Sequence, residues 1–278
     1  MFMSNVLFCL QRYCFFRSFA MILSNSNKMK SPLKTVAVIL LMMAITVGCT
    51  KPDVPNNGGN DTGYVATVVP HNGGVNDSVT HGFVDLGLPS GTLWAICNLG
   101  ADSPEEIGDY YSWGETKPKE VYSWSNYRYG DVIDDHFRMT KYCTDSCYGL
   151  NGFVDNITVL ERVDDAARVN WGMAWHTPTR EEWTELFQKT TCTWTVQNGV
   201  GGRLLTGWNG NSIFLPAAGF RLDEELVAPN SGMYWSSTLH SDFPERGYSF
   251  HFDSVNCHIC GTYERNRGQV VRAVRSAE

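Results

Sequence analysis

Residues 246–260 read RGYSFHFDSVNCHIC. Tyr248, Phe250 and Phe252 alternate with Ser249, His251 and Asp253. Side chains of a strand point to opposite faces in turn, so this spacing predicts one face toward a core and one toward water. A turn near Ser254–Asn256 hands over to Cys257–Cys260, which predicts an antiparallel hairpin. The aromatic row belongs to the core. The polar row, extended by Asn256 and His258, is expected to face solvent, as on a one-sided antiparallel sheet.

Segments of the same kind surround this hairpin. TWTVQN (193–198), SIFLPAAG (212–219), MYWSST (233–238) and QVVRAVR (269–275) read as short strands. GVGG (199–202) and NGN (209–211) read as the turns that link several of them. Helices are few. Ser103-Pro104-Glu105-Glu106 has an N-cap, a Pro at the first helical position and a capping-box Glu, which predicts a short helix. DDAARVN (164–170) predicts another, with acids at its positive end and Gly172 as a stop. Thr179-Arg180-Glu181-Glu182 repeats the capping box and puts Trp183, Leu186 and Phe187 on one helix face. Short helices among many antiparallel strands make an α+β domain with extensive loops.

The N-terminal part has a different character. From Met29, Lys30 and Lys34 precede an uncharged, mostly apolar run, Val36 to Val47, too short for a comfortable membrane span. Thr46, Val47 and Gly48 then lead into Cys49. This layout predicts a secretory leader over 29–48, and it is similar to bacterial lipoprotein leaders, in which the Cys becomes the lipidated first residue. Residues 1–28 read as a mis-called extension upstream of the true start. Residues 49–80, rich in Pro, Gly, Asn and Asp, predict a flexible tether, leaving 81–278 as the folded domain. The expected location is the outer membrane, through the lipid on Cys49, with the leaflet undetermined.

A net charge of −7 without a Lys/Arg cluster argues against a nucleic-acid partner. Cys97, Cys143, Cys147, Cys192, Cys257 and Cys260 follow the leader, an even number that permits disulfides in an exported chain without choosing a pairing. A four-Cys zinc site from Cys143, Cys147, Cys257 and Cys260 fits poorly in spacing and in compartment, so no metal is expected. Asp164 and Asp165 are expected to cap a helix, and no calcium-loop spacing accompanies them. No Gly-x-Ser-x-Gly elbow and no His-Glu-x-x-His occurs, and the pairs Glu105–Glu106 and Glu181–Glu182 fall in first helical turns.

Seven phrases occur in order: DLGLPSGTLWAICNLGA (85–101), GDYYSWGET (108–116), DDAARVNWG (164–172), WHTPTREEWTEL (175–186), NGNSIFLPAAGFR (209–221), YWSST (234–238) and GQVVRAV (268–274). Together they resemble the Fibrobacter succinogenes major paralogous domain, a family common in lipoproteins of gut Bacteroidetes. The resemblance covers about residues 81–275, and Ala273 departs from the Pro usual in the last phrase. It implies a C-type-lectin-like fold, in the variant shared with formylglycine-generating enzymes: short helices around a twisted antiparallel core with long loops.

Trp94, Trp113, Trp171, Trp175, Trp183 and Trp235 then read as core aromatics. The resemblance also implies a variable stretch between YWSST and the last phrase, where chains of this pattern differ. Loops on rigid scaffolds carry binding residues. The candidate ligand surface is therefore His240, Asp242, Glu245, Arg246, Ser249, His251, Asp253, Asn256, His258, Tyr263 and Arg265. The expected function is non-catalytic binding of a glycan or protein at the cell envelope, with no cofactor. Two alternatives stand beside it. One is a copper or thiol oxidase of the formylglycine-generating type using Cys257 and Cys260; the other is a structural surface or pilus-associated subunit.

Overall fold

The computed structural model describes residues 81–276. The extension at 1–28, the leader at 29–48, Cys49 and the tether to residue 80 lie outside the described residues. The strands in chain order are β1 (Phe83–Asp85), β2 (Leu93–Ala95), β3 (Gly130–Ile133), β4 (His136–Met139), β5 (Trp175–His176), β6 (Thr191–Gln197), β7 (Val200–Thr206), β8 (Ser212–Pro216), β9 (Phe220–Leu222), β10 (Glu225–Val227), β11 (Gly232–Leu239), β12 (Arg246–Phe252), β13 (Cys257–Glu264) and β14 (Val274–Arg275). The α-helices are α1 (Ala166–Trp171) and α2 (Arg180–Lys189). Every strand pair named below is antiparallel, so the expected α+β, sheet-rich class stands. Among the described residues no helix is long and apolar enough to cross a membrane.

Three sheets frame the interior. One has the order β1-β2-β14-β5, one β6-β7-β8 and one β11-β12-β13. The last is buried on both faces. Tyr234 pairs with Phe250 on one side, in a cluster with Trp183, Leu186, Phe187 and Phe252. Trp235 pairs with Ser249 on the other, beside Trp113, Leu239 and Val271. The six tryptophans expected in the core are all buried. Phe250 stacks on Trp183 with centroids 4.8 Å apart, and such offset pairs add to plain area burial.

Local signals explain most of the helical boundaries. Thr179 Oγ1 accepts from Glu182 N (3.2 Å) while Glu182 Oε2 accepts from Thr179 N (2.8 Å), so α2 starts on a closed capping box. Its Trp183, Leu186 and Phe187 are buried as the spacing requires. Asp165 caps α1 by accepting from Ala167 N, and α1 stops at Gly172 with φ +97°. Asp164 does not cap. It is buried and accepts from Lys141 Nζ (2.5 Å), Tyr142 Oη (2.6 Å) and Tyr129 Oη.

Two sequence expectations give way. At Ser103 a single turn closes through Glu106 N to Ser103 O (3.3 Å), while the Glu106 carboxylate accepts from Asp102 N (2.8 Å), and no helix follows, because the chain reverses at Gly108 (φ +74°) and Asp109 N bonds back to Leu99 O. GVGG is not a linker. Asn198–Gly199 make the turn, and β7 already starts at Val200. Gly201 and Gly202 lie under the rings of Trp194 and Phe214, where a side chain would collide.

Candidate functional site

The β12–β13 hairpin carries the candidate ligand residues, and its aromatic row is as the alternation requires: Tyr248, Phe250 and Phe252 are buried. The opposite row is not uniformly exposed. Gly247 lies against Trp113, and Ser249 is buried with its hydroxyl donating to Gln269 Oε1 (2.6 Å). Only from His251 onward does this face open. The one-sided-sheet expectation fails because a second apolar cluster covers the base of the hairpin.

Three of the eleven candidates therefore belong to the interior. Ser249 is the first. Arg265 is fully buried between the rings of Trp113 and Tyr127 (5.4 and 5.3 Å). It donates to the carbonyls of Tyr142 (2.9 Å), Lys141 (3.2 Å) and Tyr129 (3.2 Å). β13 ends at Glu264 and Arg265 starts a turn, which carries its side chain inward. Glu245 is also buried, with Oε1 3.5 Å from Arg246 Nε. Burial pushes its carboxyl up to about 7, opposed in part by its own backbone N–H and by Arg246.

Seven of the remaining eight fall at two ends, and Tyr263 is rooted near one and reaches toward the other. β12 has seven residues, so the ends lie about 20 Å apart at strand rise. At the base are His240, Asp242 and Arg246. His240 Nδ1 accepts from Asp242 N (3.0 Å) and Phe243 N (3.2 Å), and its ring stacks on Tyr248 (5.1 Å). Arg246 pairs with Glu264 (2.8 Å). These bonds make His240 and Arg246 fasteners of the loop.

The tip gathers His251, Asp253, Asn256 and His258, and Tyr263, the register partner of Gly247 near the base, sends its ring toward His251 with centroids 6.2 Å apart. His251 and His258 are register partners with ring centroids 5.7 Å apart. The Tyr263 ring runs past Gly261, which has no side chain to block it, and its hydroxyl lies 3.4 Å from His251 Nδ1. Burial, then the neighbouring His258, lowers the His251 pKa, so its imidazole is neutral at neutral pH. Asp253 shapes the turn: Val255 N and Asn256 N both donate to its Oδ1 at 2.7 Å. Burial works to raise its pKa, but the N–H groups of Asn256 and Val255 prevail and lower it.

Three contributors escaped sequence reasoning. Buried Arg203 on β7 donates Nε and Nη2 to Asp253 O (3.0 and 2.8 Å) and fixes the tip from below. Phe220 packs against Tyr263 at 5.9 Å, and the Arg267 guanidinium lies over both rings at 5.0 and 5.5 Å. Of the two nearby arginines, Arg265 turns into the core and Arg267 lies half-buried beside Phe220 and Tyr263.

One concave feature lies elsewhere, an open cleft of about 640 Å³ lined by Glu161, Arg162, Asp165, Arg168, His176, Thr177 and neighbours. Several of its polar groups are already paired, within the cleft or with residues behind it. Asp165 accepts from Thr177 N and Oγ1, His176 meets Glu182 at 2.8 Å, and Glu161 pairs with Lys141. Among the described residues no group of three or more His, Cys, Asp or Glu side chains is placed to hold a metal ion. Comparisons with protein-family models, curated proteins and solved structures return no match.

Proposed function

We propose that this chain is an exported, lipid-anchored, non-catalytic binding domain with a C-type-lectin-like fold, holding a glycan or protein ligand at the cell envelope. The observation that carries the reading is the hairpin tip. It sets a neutral imidazole, a second imidazole and a phenol side by side on a sheet that is otherwise buried on both faces. Such a row offers π-faces for stacking together with hydrogen-bond donors and acceptors. That suits hydroxyl-rich or peptide surfaces, and rigid mounting lowers the ordering cost of binding. The ligand residues of this reading are His251, His258, Tyr263 and Asn256, with Asp253 as turn former. The base residues His240, Asp242 and Arg246 are outside it, and Glu245, Ser249 and Arg265 serve the fold.

The resemblance in seven phrases supports the lectin-like assignment, since those phrases supply the buried tryptophans while the tip lies between two of them. Lipidation at Cys49 supplies the anchor, and stable anchoring takes more than one acyl chain. The test is a glycan and protein array screened with the parent chain, followed by a His251→Ala, His258→Ala double variant. Asp253 is left intact because its loss would unmake the turn. The double variant is expected to keep its melting temperature and lose at least tenfold in affinity. Full affinity for every captured ligand would place the site elsewhere on the domain.

A further inference from the structure

We propose that Cys192 and Cys257 are a disulfide-forming pair, and that the bond fastens the hairpin tip to the β6–β7–β8 sheet. Cys192 lies on β6 and Cys257 opens β13, 65 positions later. Their Sγ atoms are 3.1 Å apart, about 1 Å beyond a bonded S–S distance of ~2.05 Å. Both are buried in the same apolar cluster, at 8% and 2% exposure.

The other buried thiols are placed differently. Cys97 Sγ points to Ala101 O (3.0 Å) and Cys143 Sγ to Asp145 O (3.2 Å), and burial raises the pKa of each. Each turns to a carbonyl of its own loop. In Cys192 and Cys257 two separate sheets bring sulfur to sulfur.

The position of Cys257 gives the bond its consequence. It pairs with Phe252 in the last rung before the tip turn. The ascending arm is already held there by Arg203, which binds Asp253 O from β7. A bond from Cys257 to β6 holds the descending arm to the same sheet. His258, the next residue, is then fixed beside His251 by covalent and hydrogen-bonded fasteners together.

The chemistry is a two-electron thiol–disulfide exchange with a disulfide-bearing oxidant, either an exported dithiol oxidoreductase or glutathione disulfide. The Cys192 thiolate attacks one oxidant sulfur and expels the other as a thiolate. The Cys257 thiolate then attacks the mixed disulfide at the Cys192 sulfur and expels the second. Two thiol protons pass to the two departing thiolates, so the protein dithiol is oxidised and the oxidant disulfide reduced. The pairing rests on geometry; its formation in the cell rests in addition on the export reading above.

The test uses the full chain in two arms, each unfolded in denaturant that already contains excess alkylating agent, then digested and weighed without reduction. One arm is isolated from the cell envelope without reductant. The other is reduced, unfolded and refolded in a glutathione redox buffer. A peptide pair joined through Cys192 and Cys257, lighter by two hydrogens and separated by reductant, is expected in both. The bond in the first arm, whatever the second shows, supports the pair. The bond in the second arm alone supports the pair and sinks the export reading. Both thiols alkylated in both arms, or Cys257 joined to another cysteine, overturns the pair. Hydrogen exchange at residues 253–258 is expected to quicken on reduction; unchanged exchange overturns the fastening of the tip.

Discussion

Replacing Glu245 by Gln removes one ionisable group from the buried base of the hairpin and leaves its shape. Glu245 is 5% exposed, and its Oε2 has no hydrogen-bond partner among the described residues. Burial lifts its carboxyl from 4.5 to about 7; Glu264 adds to the rise, while Arg246 and Arg265 oppose it. Below 4.5 the group is protonated whether the chain is folded or not. Between 4.5 and about 7 the unfolded chain ionises while the folded one keeps its proton, so stability falls as pH rises. Above about 7 the loss is complete. At about 1.36 kcal/mol per unit, that span amounts to about 3 kcal/mol at most. Glu245→Gln should therefore match the parent near pH 4 and exceed it by up to about 3 kcal/mol near pH 8, or roughly 6–12 °C in melting temperature. Urea unfolding followed by tryptophan fluorescence across that range gives the difference curve. His240 and His251, whose lowered pKa values act in the opposite direction, are common to both proteins and cancel. A difference curve that stays flat across the range refutes the buried-carboxylate account.

Arg265→Met should cost about 3–5 kcal/mol, because the carbonyls of Lys141 and Tyr142 lose their guanidinium donor inside the core; an unchanged urea midpoint would restore Arg265 to the list of surface residues. Arg265→Lys should not rescue it, since one ammonium cannot reproduce the planar fork, and thermal unfolding measures this directly. Phe250→Ala should cost about 3–5 kcal/mol by removing the ring stacked on Trp183, read as a lower denaturation midpoint with unchanged slope. Cys49→Ala should move the still-exported protein from the membrane pellet to the soluble fraction, and continued sedimentation with membranes would exclude lipidation there as the anchor.

The parts legible in sequence were those governed by neighbours a few residues away. The capping box at Thr179, the Asp165 cap with its Gly172 stop, and the period of two through Tyr248, Phe250 and Phe252 are local patterns that tertiary packing left intact. Exposure of the opposite row was not legible, because whether Ser249 meets water depends on Trp113, Trp235 and Gln269, which arrive from three other segments. The Ser103 box had every helical start signal and no room to continue before Gly108. Of Arg265 and Arg267, only the first turns into the core, past the end of β13 at Glu264. The six core tryptophans were expected from the Gly- and Leu-containing phrases they sit in. Trp208 is 80% exposed, with its indole donating to Gly87 O, and nothing in its surroundings in sequence foretold that.

Burial of the central sheet on both faces divides the labour of mutation. Along β11 and the base of β12 a substitution meets packed atoms on whichever side it points, so change there is tested first by folding. At Ser254, Val255 and Asn256, and at the half-buried His258, a new side chain meets mostly solvent. Surface changes of that kind usually stay within about 0.5 kcal/mol. Several can accumulate there while the rest of the sheet registers none of them. A chain of this build can therefore change the chemistry of its hairpin tip with its thermodynamic stability as a bystander, and the extent of that freedom is set by where the second cluster stops covering the hairpin.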